Sequence, residues 1–130
     1  LTYKKIEYRS YTEDDLIAMT NSARFCVTIT RTESQGIAYQ EILSMGLPMY
    51  VIDKTVWDDM PDISFPATSA PYFDDRCGIK HPDLSRFDEF LWLVKANGFS
   101  PREYILENLT LKKCAGEYLS LLERCHENQK

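Results

Sequence analysis

The chain has 130 residues, of which 44% are hydrophobic, so it can bury one globular core and is too short for two. Its 20 acidic residues outnumber 15 Lys and Arg, and the net charge of -5 argues against a broad cationic surface for nucleic acid. No apolar run has the length of a membrane span, and the first residues lack the apolar core of a signal peptide. A single cytoplasmic domain, residues 1–130, without a transmembrane segment is expected.

The four cysteines form no CxxC pair and have no histidine cluster beside them, so we expect no metal site. Cys26 lies in an apolar run, and Cys114 and Cys125 are separated by a helical spacing. We predict that these cysteines, together with Cys77, are reduced and buried thiols that act as small hydrophobic side chains.

The first part of the chain predicts a strand followed by a helix and a second strand. Residues 6–11 have the pattern of a short strand, and Thr12 is a suitable N-cap for a helix with an acidic first turn. Residues 25–30 are β-branched, aromatic and apolar without alternation, which is typical of a strand covered on both faces of a parallel sheet. We expect residues 25–30 to form the central strand.

The next pair of elements repeats this alternation. Residues 34–45 carry apolar side chains at helical spacing and end before Gly46, and residues 49–53 form another apolar run. Strands that alternate with helices predict parallel pairing through right-handed crossovers. The predicted fold class is therefore α/β, a Rossmann-like parallel sheet with flanking helices.

The second half of the chain divides into a loop and a helical part. Residues 54–80 are predicted to be mostly loop, with a short strand near residues 67–73 or 78–80. This segment either lines the rim of a ligand site or covers a sheet edge. Residues 83–127 predict a helical C-terminal segment in which Ser100 is an N-cap. The last helix has one apolar stripe, made of Leu111, Cys114, Tyr118, Leu121, Leu122 and Cys125.

The loop before the second helix is the candidate ligand site. Ligands of open parallel sheets bind outside the carboxyl ends of the strands, where loops lead into helix N-termini. The sequence TRTESQG, residues 30–36, has this position, and the backbone N–H groups of residues 34–37 are expected to be free for an anion such as a diphosphate. Gly36 permits close approach of the ligand because it has no Cβ.

Glu33 and Glu41 stand on either side of this glycine. A separation of eight residues corresponds to about 12 Å along a helix, too far for one shared proton or metal ion. The two carboxylates suit the two ends of an elongated ligand with an anionic middle, and a nucleotide sugar has this layout. The alternative is that Glu33 only caps the helix and that Glu41 is an ordinary exposed side chain.

Residues 33–53, ESQGIAYQEILSMGLPMYVID, resemble the E-x7-E segment of retaining glycosyltransferases of the GT-B fold, especially family 4. Glu33, Gly36, Glu41, Gly46 and Pro48 stand in register with that pattern. The helical tail is also similar to the closing helices of these domains, so the resemblance extends over most of residues 6–122. It implies the C-terminal donor-binding part of a glycosyltransferase.

The resemblance implies a role for each site residue. Glu41 would bind the donor ribose, and Glu33 would be the catalytic residue beside the donor sugar. The main chain of the following loop would contact the donor, through Ser34, Gln35, Gly36 and Ile37. The enzyme would transfer a sugar from a nucleotide-sugar donor, its substrate, to an acceptor hydroxyl with retention. This scheme needs no metal or other cofactor.

The chain departs from the family pattern at Gln35, Tyr39 and Gln40, where aromatic or aliphatic residues are common. The family also has an Arg and a Lys that hold the donor phosphates, and an N-terminal acceptor-binding domain, all before this segment. Arg31 and Lys54 are possible substitutes for the phosphate contacts. Because these parts are missing and the first residue is not Met, we expect part of a longer enzyme that is inactive by itself.

Two other functions remain open on the sequence. The chain could be a noncatalytic α/β module that binds a nucleotide or a protein partner. Another Rossmann-like enzyme is less favoured, because residues 30–36 lack both the G-x-G-x-x-G fingerprint and the P-loop lysine pattern.

Overall fold

The structure is a computed structural model, and it describes residues 2–7 and 9–127. Within these ranges the elements are α1 (Glu13–Ser22), β1 (Cys26–Ile29), α2 (Ile37–Ser44), β2 (Met49–Ile52), β3 (Val56–Met60), β4 (Ile63–Pro66), β5 (Gly78–His81), α3 (Phe87–Lys95), α4 (Pro101–Asn108) and α5 (Leu111–Glu127). None of these helices combines the length and the apolar character that crossing a membrane requires.

The core of the fold is a parallel sheet of three strands in the order β1, β2, β5. The central strand is β2, so the prediction that residues 25–30 form the central strand is wrong. β1 pairs with β2 alone among the described residues, and its Val27 and Ile29 side chains are 39% and 80% exposed. The apolar run of β1 did not predict this exposure, because a strand is buried on both faces only where helices cover both sides of the sheet. β1 lacks that cover at Val27 and Ile29.

Side chains of β2 alternate between two hydrophobic clusters, one on each face of the sheet. Met49 and Val51 belong to a cluster that includes side chains of α1, α2 and α4. Tyr50 and Ile52 belong to a cluster with α3, centred on Phe90. The predicted α/β class, a parallel sheet with flanking helices, is therefore confirmed.

The segment before α1 differs from its prediction. No strand forms in the described residues of 6–11, and Tyr8 lies outside the described residues. Arg9 has a φ of 65°, which interrupts an extended backbone. The predicted N-cap is confirmed: Thr12 Oγ1 accepts from the Asp15 N–H at 3.2 Å, and Asp15 Oδ2 accepts from the Thr12 N–H at 2.9 Å.

The segment predicted as mostly loop contains an antiparallel hairpin, β3–β4, which the sequence pattern did not reveal. Its turn includes Asp62 with a φ of 62°, and the Trp57 and Phe65 rings stack across it at 4.8 Å between centroids. Most hairpin side chains are exposed, so no alternation of apolar and polar residues marks the strands. Of the two proposed strand positions, residues 78–80 are confirmed as part of β5 and residues 67–73 contain no strand.

The cysteines follow the prediction only in part. All four are free thiols, but Cys114 and Cys125 are exposed on α5, so their predicted burial is wrong. The reason is that no residue of α5 is buried against the fold. Burial raises the pKa of the Cys26 and Cys77 thiols to about 11, as expected for small hydrophobic side chains in apolar surroundings.

Candidate functional site

The candidate site is the turn between β1 and α2, at the carboxyl edge of the parallel sheet. The backbone N–H of Glu33 donates to the carbonyl of Thr68 at 2.9 Å, which ties the turn to the loop after β4. Ser69 is fully buried in that loop, and its hydroxyl donates to the Thr30 carbonyl at 3.3 Å and accepts from the Lys54 N–H at 2.9 Å. The loop after β4 therefore joins the ends of β1 and β2.

Asp53, directly after β2, fixes the same loop. Its Oδ1 accepts from the Thr68 hydroxyl at 2.8 Å and from the Ser69 N–H at 2.7 Å. Lys80 on β5 donates to the Ala70 carbonyl at 3.1 Å. Hydrogen bonds to charged groups are stronger than those between neutral groups. These bonds therefore hold the loop after β4 against the carboxyl ends of the three strands, next to the turn between β1 and α2. Asp53 is not among the site residues predicted from the sequence, although a polar residue directly after a buried strand is a usable signal.

Glu33 folds back onto its own loop. One carboxylate oxygen accepts from the Ser34 N–H at 2.9 Å and from the Gln35 N–H at 3.4 Å. The expectation that residues 34–37 all present free N–H groups is therefore wrong for Ser34 and Gln35. The helix itself starts only at Ile37, because the turn before it is closed by this carboxylate.

Gly36 occupies the N-cap position of α2 with a φ of 67° and a ψ of 48°, in the left-handed region. A Cβ at this position would lie 2.9 Å from Cδ2 of Tyr39. Glycine is therefore required twice here, for the backbone conformation and for the space that the ring occupies.

Tyr39 is a part of the site that the sequence analysis treated only as a departure from a pattern. Its hydroxyl shares a hydrogen bond of 2.8 Å with the Thr30 hydroxyl, so it joins α2 to the end of β1. Burial raises its pKa, and the neighbouring Glu33 carboxylate acts in the same direction. The available signal was its spacing of three residues from Gly36, which places the two on one side of a helical turn.

Gln40 supports the turn from the other side. Its side-chain Nε2 donates to the Gln35 carbonyl at 2.9 Å. Tyr39 and Gln40, two of the three departures from the family pattern, thus hold the loop between β1 and α2 in its observed shape.

Glu41 lies on the second turn of α2 with an exposed side chain. Its carboxylate has no hydrogen-bond or ion-pair partner among the described residues. Glu33 lies outside α2, four residues before its first residue, so the two carboxylates belong to different parts of the turn and helix. The structure therefore leaves Glu41 accessible to a ligand that lies along α2.

Arg31 and Lys54 come together beside the turn, and both contact the β3–β4 hairpin. Arg31 Nη1 lies 2.9 Å from Asp59 Oδ1, and Lys54 Nζ lies 3.8 Å from the same oxygen. Lys54 also forms an ion pair with Asp58, and this bond lowers the pKa of the Asp58 carboxyl. Two cations that are far apart in sequence are thus adjacent, but each already has an acidic neighbour.

Among residues 2–7 and 9–127, no three His, Cys, Asp or Glu side chains converge as a metal-binding group. Surface grooves of about 660 Å³ along α5 and about 480 Å³ near residues 5–19 do not include the turn.

What the turn offers chemically is an open helix start flanked by a carboxylate on each side. The N–H groups of Ile37 and Ala38 lie in the first turn of α2 and have no partner among the described residues. They can donate to an anion, while Glu41 can accept from hydroxyl groups. No family model, curated protein or solved structure matches this chain.

Proposed function

We propose that this chain is the donor-binding part of a retaining glycosyltransferase with a Rossmann-like domain of the GT-B type. The observation that carries the proposal is the position of the E-x7-E pair. Glu33 lies within a β–α turn at the carboxyl edge of a parallel sheet, and Glu41 stands unpaired on the helix that follows. This is the edge at which open α/β sheets bind nucleotides.

In the proposed complex, the donor diphosphate lies over the N-terminus of α2. The free N–H groups of Ile37 and Ala38 and the positive end of the helix dipole favour negative charge there. The same groups stabilise the charge that grows on the diphosphate as the sugar leaves. Arg31 and Lys54 add positive charge at the edge of this position if the donor displaces Asp58 and Asp59 from them.

The two glutamates then have different tasks. Glu41 accepts hydrogen bonds from the ribose diol, for which its carboxylate has two free oxygens. Glu33 now accepts from the Ser34 and Gln35 N–H groups, and a diphosphate competes for the same donors. We infer that the Glu33 carboxylate turns towards the donor sugar when the diphosphate binds, and stabilises positive charge that develops at the ring.

The test separates the two roles by calorimetric titration of UDP and GDP into the chain and three variants. Glu41→Gln should weaken the affinity by about tenfold or more, because hydrogen bonds to a charged group contribute roughly 1.5–3 kcal/mol. Glu33→Gln should bind as well as the parent chain or better, because a negative charge next to the diphosphate is removed. Glu103→Gln, an exposed glutamate on α4, is the matched control and should change nothing.

Equal affinity of the Glu41→Gln and Glu103→Gln variants would remove Glu41 from the ribose site. In a longer protein that includes an acceptor-binding domain, Glu41→Ala should raise the donor KM. An unchanged donor KM there would contradict the same assignment from the side of catalysis.

A noncatalytic module is the second candidate, and the ion pairs of the hairpin favour it. Both cations nearest the turn are already neutralised by Asp58 and Asp59, which reduces their attraction for a phosphate. If neither the chain nor the longer protein binds UDP, GDP or their sugars, the noncatalytic module becomes the better proposal. Binding only to the longer protein supports a donor site that needs further residues.

A further inference from the structure

The last helix carries an apolar stripe that nothing in the described chain covers. α5 runs from Leu111 to Glu127, none of its residues is buried, and its main neighbour is α4. Leu111, Tyr118 and Leu121 are 86%, 63% and 48% exposed. Most helical stability in proteins comes from packing of an amphipathic face. The stripe therefore points to a partner.

We propose that α5 pairs with α5 of a second copy of this chain, as an antiparallel two-stranded coiled coil around a two-fold axis. The proposal is independent of the proposed function. Five of the six residues of the stripe are spaced three and four residues apart in alternation, which is the heptad pattern of a coiled-coil seam, and Leu122 flanks them. Its core positions are Leu111, Cys114, Tyr118, Leu121 and Cys125.

The helix dipole favours a second copy in the antiparallel direction, because the positive N-terminal end of each α5 then lies beside the negative C-terminal end of the other.

The positions that flank the seam agree with this direction. Glu117 and Arg124 both occupy the g position of the heptad, and g faces g of the second helix in an antiparallel coiled coil. Glu117 of one copy therefore approaches Arg124 of the other, and the two-fold axis forms this pair twice. The sequence of α5 is complementary to itself in one direction only.

This arrangement fixes which core residues meet. Tyr118 of each copy faces Leu121 of the other, and Cys114 of each copy faces Cys125 of the other. Within one chain the two cysteines are eleven residues apart, about 16 Å along the helix, so they do not contact each other. Both thiols are exposed in the single chain and are accessible to a reagent.

Thiol cross-linking with a short bis-maleimide distinguishes the possible arrangements. Neither Cys114→Ser nor Cys125→Ser should give a covalent dimer alone, because each variant lacks one member of every facing pair. An equal mixture of the two variants should give a covalent dimer, through Cys125 of the first and Cys114 of the second. The variant that lacks both cysteines keeps Cys26 and Cys77 and should give none.

Sedimentation of unlabelled protein provides the second measurement. Leu121→Glu puts a charge into the seam and should weaken self-association by about tenfold or more, a factor that corresponds to about 1.4 kcal/mol. Ser120→Glu, on the neighbouring outer position of the same helix, should leave it unchanged. Circular dichroism should show that both variants stay folded, since neither side chain is buried in the single chain.

Three outcomes would overturn the proposal. Cross-linking of Cys114→Ser and of Cys125→Ser, each by itself, would mean a parallel pair. A chain that sediments as a monomer, with no cross-linking in the mixture, would mean that another segment or another protein covers the stripe. Equal effects of Leu121→Glu and Ser120→Glu would place the contact outside the stripe.

Discussion

The geometry of the turn between β1 and α2 depends on Gly36 more than on either glutamate. Its backbone is left-handed, and the Tyr39 ring occupies the space of a side chain at this position. The hydroxyl of the same ring bonds to Thr30 and so holds the end of β1. A substitution at Gly36 should therefore disturb both the backbone and the contact between strand and helix.

A left-handed backbone conformation costs a residue with a Cβ about 1–2 kcal/mol. We predict that Gly36→Ala lowers the free energy of unfolding by more than this amount. The excess arises because the new Cβ would meet Tyr39 Cδ2 at 2.9 Å. The free energy of unfolding in denaturant measures the effect.

Two other glycines provide matched controls for this prediction. Gly46 has a φ of 86° but nothing within 4 Å of a Cβ, so Gly46→Ala should show the conformational cost alone. Gly116 lies within α5 with open space around it, and Gly116→Ala should stabilise the helix by up to about 1 kcal/mol. An equal loss of stability at Gly36 and Gly46 would show that the Tyr39 ring does not restrict the turn.

At the level of elements, α1 is the helix whose start is most completely specified by local sequence. Thr12 and Asp15 exchange hydrogen bonds, each accepting from the backbone N–H of the other, and the Thr12 hydroxyl also donates to Asp15. These bonds lower the pKa of the Asp15 carboxyl. Ser100 shows the contrast, because it stands at the N-cap of α4 without a capping bond from its side chain.

We predict that Thr12→Ala reduces the free energy of unfolding by about 1 kcal/mol near neutral pH, the typical effect of losing a capping side chain. Thr32→Ala, which removes the same atoms outside a helix start, should have a smaller effect. Thermal unfolding of both variants measures the difference.

The effect of Thr12→Ala should also depend on pH. Because the pKa of Asp15 is lowered in the folded state, its contribution is present above the ordinary carboxyl pKa and is lost as pH falls through the lowered value. Thr12→Ala keeps the backbone N–H of residue 12, the main cause of the lowered pKa, and loses only the hydroxyl that adds to it. The difference between the parent chain and Thr12→Ala should therefore shrink in acid by the part that the hydroxyl contributes. A difference that stays constant down to the lowest pH at which the fold persists would contradict this account of the capping box.

For the whole molecule, the sheet is stabilised by a separate hydrophobic cluster on each face. The cluster between the sheet and α3 contains more aromatic rings than the other. Phe90 is fully buried there. The centroid of its ring lies 5.4–5.5 Å from the ring centroids of Phe25, Tyr50 and Phe99. Tyr50 adds a polar connection, because its hydroxyl donates to the Asp83 carbonyl at 2.6 Å. These contacts join β2 to the chain that leads into α3.

We predict that Phe90→Ala lowers the free energy of unfolding by about 3–5 kcal/mol, the usual cost of removing a buried aromatic ring. Trp92→Ala, on the same helix, removes a side chain that is 67% exposed and should stay within about 0.5 kcal/mol of the parent. Equilibrium denaturation compares the two. A similar loss for both variants would mean that the cluster between the sheet and α3 does not control stability.

The sequence by itself determined those features that depend on neighbours along the chain. The capped start of α1, the apolar runs of β1 and β2, the helix between them and the glycine that precedes it all follow from local patterns. The positions of Glu33 before Gly36 and of Glu41 after it are likewise set by the order of residues along the chain.

Only the tertiary structure decided which partners the residues have. It made β2 rather than β1 the central strand, exposed Cys114 and Cys125, and brought Arg31 and Lys54 to the same carboxylate of Asp59. It also formed the β3–β4 hairpin from exposed side chains that have no periodic pattern. These features depend on contacts between residues that are distant in sequence, and an apolar or charged residue specifies no particular distant partner by its identity alone.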